Sequence, residues 1–350
     1  MIIEVEDIFK NCDSSLGQPA NLTDIFDRAV GNVINQMLFG YRFDETRADE
    51  FRTIRGFFNF NSGEFASFSM RVQFFLPWMG YFMPGPTILE RFKKYQEGFS
   101  DFFGRQIEHH KKEVDFDIEE NKDYVEAYLK EQRKREAEGD YYSFSTKQLS
   151  NMCLDLWFAA LMTTSNTMTW GFAYTLNYLD VQRKVHEELD LVIGTDRLIK
   201  TSDRNDLPYM NAYINEIQRC ANLVPLNLLH MTTRDTVING YQIPKGTGCI
   251  AQISAVLYDE TVFPEPYNFK PERFLENGKL KKIDEFVPFS VGKRQCLGEG
   301  LAKMELFLFF ANFLNRYELR PDEKGAPCID KAALGGLHTK EFHAILKKRH

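Results

Sequence analysis

The chain has 350 residues, and 43 Lys and Arg against 50 Asp and Glu give it a formal charge of −7. That balance argues against a nucleic-acid partner, whose binding surfaces are normally basic. The 43% hydrophobic content, with 31 Phe and 15 Tyr, supports a sizeable core. The six cysteines (Cys12, Cys153, Cys220, Cys249, Cys296 and Cys328) show no Cys-x-x-Cys pair, which suggests a reducing compartment rather than a disulfide framework or a zinc site.

The opening MIIEVEDIFKNCDS is no signal peptide, because acids interrupt a very short apolar run. Residues 22–40 begin with a plausible cap and carry apolar residues at helical spacing, and a Gly-Tyr-Arg-Phe-Asp turn follows. No uninterrupted apolar stretch is long enough to span a bilayer. The most apolar surface candidate is residues 74–84, where two prolines and a glycine forbid one continuous helix. It reads as a buried loop or as a patch that dips into a membrane surface.

Helical periodicity with growing charge runs through 87–139, and residues 130–140 read as a solvated helix end or loop. From Ser145 to Asn177 the pattern is apolar almost all round, which places that helix in a domain centre. Helices are also expected over 181–194, 208–221 and from Gly298 to Phe313. Val237–Ile243 contains an Asn-Gly turn between apolar flanks, a hairpin cue, and Phe263–Phe274 reads as irregular loop. With no repeats and no clean linker, one mostly helical domain over 1–350 with a small β portion is the economical reading.

The most informative stretch is Phe289-Ser-Val-Gly-Lys-Arg-Gln-Cys-Leu-Gly298. It holds Cys296 between Gly292 and Gly298, on a loop that runs into a helix. Glycines permit close backbone approach, and N–H groups near a helix N-terminus stabilise a sulfur anion, so the loop presents a thiolate to a metal. The plainer reading is a buried cysteine on a tight turn. Earlier in the chain, Glu216 and Arg219 share one helix face, and Arg273 follows in Pro-Glu-Arg-Phe. Alone, the first pair would be an ordinary surface salt bridge.

The Phe-x-x-Gly-x-Arg-x-Cys-x-Gly pattern resembles the haem-binding loop of the cytochrome P450 family. Glu-x-x-Arg and the later Pro-Glu-Arg-Phe resemble its buried Glu–Arg–Arg cluster, which makes Glu216, Arg219 and Arg273 structural residues. Asn32–Asp44, DVQRKVHEELDLVIG, LPYMNAYINEIQR and TTRDTVINGYQIPKGT resemble the animal microsomal branch that metabolises drugs and lipids. The resemblance implies haem b with Cys296 as axial ligand, and His230 and Arg294 toward its propionates. It puts Thr163 in the place of the oxygen-activating threonine, with Ala160 for the usual Gly and Met162 for the usual acid. A thioether passes no protons, so the carboxylate relay is missing at 162. Substrate positions by the same resemblance are Phe158, Ala159, Thr163, Val224 to Leu229 (Leu228 among them) and Leu334 to Leu337.

The implied fold is a mainly α cytochrome P450 fold that lacks the N-terminal anchor, first helices and first strands. No Trp-x-x-x-Arg clamp is present, since Trp78, Trp157 and Trp170 are followed four positions later by Phe82, Leu161 and Tyr174. The implied function is a haem-dependent monooxygenase that inserts one atom of O2 into a small apolar substrate. Electrons would come from NADPH through a reductase, with cytochrome b5 as a second partner. The full-length protein would sit on the cytosolic face of the endoplasmic reticulum membrane. Alternatives are a truncated non-catalytic haem-binding relative and a haem-thiolate isomerase.

Overall fold

Val5, Ile8 and Cys12 lie on one helical stripe, and the computed structural model forms α1 over Ile2–Asp13 with all three buried. The structure describes residues 1–58, 72–73, 76–82, 87–195, 197–331 and 338–350. The further helices are α2 (Leu22–Phe39), α3 (Ala48–Phe58), α4 (Ile88–Glu113), α5 (Tyr124–Ala137), α6 (Thr146–Asn177), α7 (Leu179–Val192), α8 (Pro208–Ala221), α9 (Ile253–Leu257) and α10 (Glu299–Arg316). Among the described residues, no helix is long and apolar enough to cross a membrane.

Among the described residues the β portion is small and its strand pairs are antiparallel. β1 (Pro19–Ala20), β9 (Ala344–Lys348) and β8 (Tyr317–Pro321) form a sheet in that order. Two-stranded pairs join β2 (His230–Met231) to β5 (Gly248–Cys249), β3 (Thr236–Ile238) to β4 (Tyr241–Ile243), and β6 (Leu275–Glu276) to β7 (Lys279–Leu280). The β3–β4 hairpin turns at Asn239 and Gly240, both with positive φ, as the Asn-Gly cue requires.

Two sequence expectations change. The 87–139 pattern is two helices, separated by the acid-rich residues 114–123. Asp123 ends that interval as the N-cap of α5, accepting from the Glu126 N–H at 2.8 Å. In the 74–84 segment, Pro77–Phe82 forms a short 3-10 turn, while 74–75 and 83–84 lie outside the described residues. Leu76, Trp78, Tyr81 and Phe82 are exposed, so the described part is not a buried loop.

The chain groups into two units, residues 1–26 with 163–350, and residues 27–162. In the first, an aromatic cluster joins α2, α6 and α10 through Phe26, Phe172, Phe310 and Phe313. Gly171 permits this contact, because a Cβ there would lie 2.2 Å from the Phe310 ring. In the second unit, Phe39 stacks on Phe103, and Phe51 packs on Phe43 and Trp157.

The second unit also contains a titratable clasp. His110 near the end of α4 sets Nε2 2.9 Å from Asp123 Oδ2 and Nδ1 2.8 Å from the Gln106 carbonyl. Both ring nitrogens meet acceptors, which suits the doubly protonated ring. Burial opposes that charge, but the Asp123 carboxylate and the Gln106 carbonyl outweigh it and raise the His110 pKa. A raised folded-state pKa adds stability that is full below the unfolded value and fades as pH rises through the folded one. His110→Gln should therefore cost about 1.5 kcal/mol or more near pH 5.5, and distinctly less near pH 9. Urea unfolding at both pH values checks this, and an equal cost at both contradicts the clasp.

Candidate functional site

Glu216 occupies α8 inside the first unit, where α8 is buried almost completely from Met210 to Ala221. A carboxylate without solvent needs several donors, and it has them. Arg219 grips it from one turn away, Nε to Oε2 at 2.8 Å and Nη2 to Oε1 at 2.9 Å. Arg273 Nε reaches Oε1 at 3.0 Å, and the Lys270 backbone N–H reaches the same atom at 2.8 Å. Glu216 and Arg219 are fully buried and the Arg273 side chain nearly so. The structure thus brings the three expected residues into one cluster.

The remaining guanidinium donors were not legible as motifs. Arg219 Nη1 donates to the Leu257 carbonyl at 3.0 Å. Arg273 donates to the carbonyls of Pro264, Glu265 and Asn268. Burial works against the Arg219 charge, but Glu216 beside it prevails and its pKa is raised. Cys220, buried against the same carboxylate, has its thiol pushed far above the usual range by burial first and Glu216 second. The cluster therefore staples residues 264–273 onto α8 just upstream of the Cys296 loop.

That loop is pinned at both ends. Gly292–Arg294 makes one 3-10 turn, closed by Gln295 N–H to the Gly292 carbonyl at 3.1 Å, with Gly292 and Ser290 at positive φ. The Cys296 N–H returns to the Phe289 carbonyl at 3.0 Å, and Gly298 is the N-cap of α10. Lys303 on α10 lies 5.6 Å from the Phe289 ring and pairs with Glu299 at 2.5 Å. Cys296 is exposed, contrary to the plainer reading of a buried cysteine. A Cβ at Gly298 would stand 4.0 Å from its sulfur.

A second segment approaches the loop. After α8 ends at Asn222 in the left-handed region, residues 223–229 run irregularly toward β2. The Asn227 amide donates to Ser290 Oγ at 2.9 Å, which ties this run to the Cys296 loop. It exposes Val224, Leu226, Leu228 (73%) and Leu229, while the loop exposes Val291 and Leu297 (90%). An open thiol amid exposed apolar side chains is the donor set that a flat apolar metal macrocycle matches. Arg294, exposed, and His230, half-buried on β2, make no ion pair with any described residue, so both remain available to carboxylates.

On α6, Phe158, Ala159 and Thr163 are exposed on one face, as i and i+4 spacing requires. The helix is continuously α through this point, and Thr167 Oγ1 donates to the Thr163 carbonyl at 2.9 Å. Leu334 lies outside the described residues. Sequence reasoning missed Glu305, a buried acid on α10 whose signal was its position inside the apolar run Met304-Glu-Leu-Phe-Leu-Phe-Phe-Ala311.

A mainly helical chain with a buried Glu–Arg–Arg cluster and an exposed, glycine-framed cysteine before a helix defines the class of haem-thiolate proteins. The sequence profile described as Cytochrome P450 matches residues 1–346, and the chain belongs to that family. It is 39% identical to cytochrome P450 2J1 of Oryctolagus cuniculus over 88% of this chain and 60% of that relative. It is 38% identical to cytochrome P450 2J2 of Homo sapiens, over 87% and 60%. Cytochrome P450 2E1 of Rattus norvegicus is 37% identical, over 91% and 63%. The chain thus spans about three-fifths of the length of the curated relatives it matches.

Glu216→Gln would leave two guanidinium groups without a counter-charge. The expected loss is on the order of 3–5 kcal/mol of folding stability, read by urea unfolding, and a loss well under 1 kcal/mol would contradict the cluster's role.

Proposed function

We propose that this chain carries out haem-dependent monooxygenation of a small apolar substrate, with Cys296 as the thiolate ligand of haem b. The observation that carries the reading is the exposed Cys296 on a loop closed by its own N–H to the Phe289 carbonyl. Haem with a thiolate ligand supplies the activation of dioxygen, the thiolate adding electron density that favours O–O cleavage. Arg294 and His230 hold the propionates. Phe289, Gly292 and Gly298 keep the loop's shape and let the backbone approach closely.

The chain's own residues then orient and protonate. By the family resemblance, Phe158, Ala159, Val224, Leu228 and Leu334 are the substrate-contact positions, each offering an apolar side chain. Thr163 holds a proton-bearing hydroxyl on the same α6 face as Phe158 and Ala159, whereas Met162 has no proton to give. Electrons come from NADPH through a reductase, with cytochrome b5 as a second donor. Residues 1–350 act as one cytochrome P450 domain within a protein on the cytosolic face of the endoplasmic reticulum. The exposed Trp78, Tyr81 and Phe82 suit contact with that membrane surface.

Loaded with haem, reduced and exposed to carbon monoxide, the chain should show the red-shifted absorption band of a thiolate ligand. Cys296→Ser should abolish that band while far-ultraviolet circular dichroism stays unchanged. Survival of the band in the variant would refute the ligand assignment.

A further inference from the structure

A cavity of about 720 Å³ opens within the second unit, where the C-terminal ends of α2 and α4 meet the starts of α3 and α5. None of its lining residues belongs to the Cys296 loop, to α6 or to the Glu216 cluster, so the proposed reaction leaves it unused. Cavities of roughly 300–1,000 Å³ are the usual size for small organic ligands. Its acids are mostly matched within the protein. Asp123 is held by His110 at 2.9 Å, Glu126 by Lys130 at 2.7 Å, and Glu113 lies 3.4 Å from His109. Glu50 makes no ion pair with any described residue.

The cations around the cavity are less well matched. Arg47 and Lys122 are exposed and make no ion pair with any described residue. Arg105 lies 3.3 Å from Asp101, with side chains 67% and 69% exposed, a contact of little strength. With no carboxylate to meet it, the Arg47 guanidinium rests over the Tyr41 ring, 4.2 Å from the centroid. The Tyr41 hydroxyl at the same wall is buried without a hydrogen-bond partner.

Cations without internal partners suit a phosphate, the Arg47 fork meeting two of its oxygens and Lys122 acting as a point charge. Glu50 restricts the rest of the ligand. An unpaired carboxylate repels a bare anion, whereas hydroxyls carried beside the phosphate give that carboxylate donors to accept from. The Tyr41 face, covered by a guanidinium that a phosphate would draw off, fits a planar base. We propose that this cavity binds a nucleoside monophosphate, with the phosphate on Arg47 and Lys122, the sugar hydroxyls on Glu50 and the base on the Tyr41 ring. The site shares no residue with the haem-thiolate chemistry and does not rest on it.

Calorimetric titration of the full chain with adenosine monophosphate, adenosine and inorganic phosphate tests this, whether or not haem is bound. Adenosine monophosphate should bind about tenfold or more tightly than either adenosine or inorganic phosphate. Arg47→Ala and Lys122→Ala, both at exposed positions, should leave the circular dichroism unchanged and each weaken that binding about tenfold. Glu50→Gln should weaken adenosine monophosphate yet tighten inorganic phosphate by removing a like charge, a pair of opposite signs that misfolding would not give. No binding of adenosine monophosphate up to about 1 mM overturns the proposal. So does adenosine binding as tightly as its monophosphate, or unchanged affinity in Arg47→Ala and Lys122→Ala. Inorganic phosphate binding as tightly as the nucleotide, or Glu50→Gln shifting both ligands in one direction, overturns the nucleoside assignment.

Discussion

The buried carboxylate of Glu216 is the constraint on which the rest of the site depends. A negative charge with no access to water must be met by donors, and two guanidinium groups and a backbone N–H meet it. Those same guanidinium groups have donors left over, and they spend them on main-chain carbonyls at Leu257, Pro264, Glu265 and Asn268. One buried charge thereby organises a stretch that is irregular up to the 3-10 turn at Pro271–Phe274. Residues 264–273 are fixed on α8 by electrostatics and hydrogen bonds, and the Cys296 loop continues from a chain already held in place.

A second constraint is steric. α6 and α10 approach closely because Gly171 lacks a Cβ, and the Phe310 ring fills the space. Close approach sets the register of two helices that both carry residues of the proposed chemistry. α10 begins just after Cys296, and α6 carries Thr163 and Thr164. The contacts of Phe172 with Phe310 and Phe313 fill this seam and resist sliding of one helix along the other.

Much of this was legible in the sequence, and the reasons differ by element. Residues 22–40, 145–177 and 208–221 carry long apolar periods, so their helices were readable to within a residue or two. The Asn239-Gly240 turn was readable because few residues tolerate positive φ. The α1 helix was not, since acids interrupt its short apolar stripe. The break at 114–123 hid inside a uniformly charged pattern. The β8–β9 pairing was hidden because it joins segments distant in sequence, which local patterns do not report. At the site, Cys296 and the Glu216, Arg219 and Arg273 trio were readable as motifs. The Asn227–Ser290 bond, the carbonyl contacts and the burial of Glu305 depend on tertiary packing, which only the fold supplies.

The central claim is that the sulfur of Cys296 is the protein's bond to a haem iron. Iron-edge X-ray absorption on the haem-loaded ferric chain reads that bond directly. The account predicts one sulfur scatterer in the first shell of iron at about 2.2–2.4 Å, near the usual metal–thiolate length. A first shell made of nitrogen and oxygen alone would contradict it.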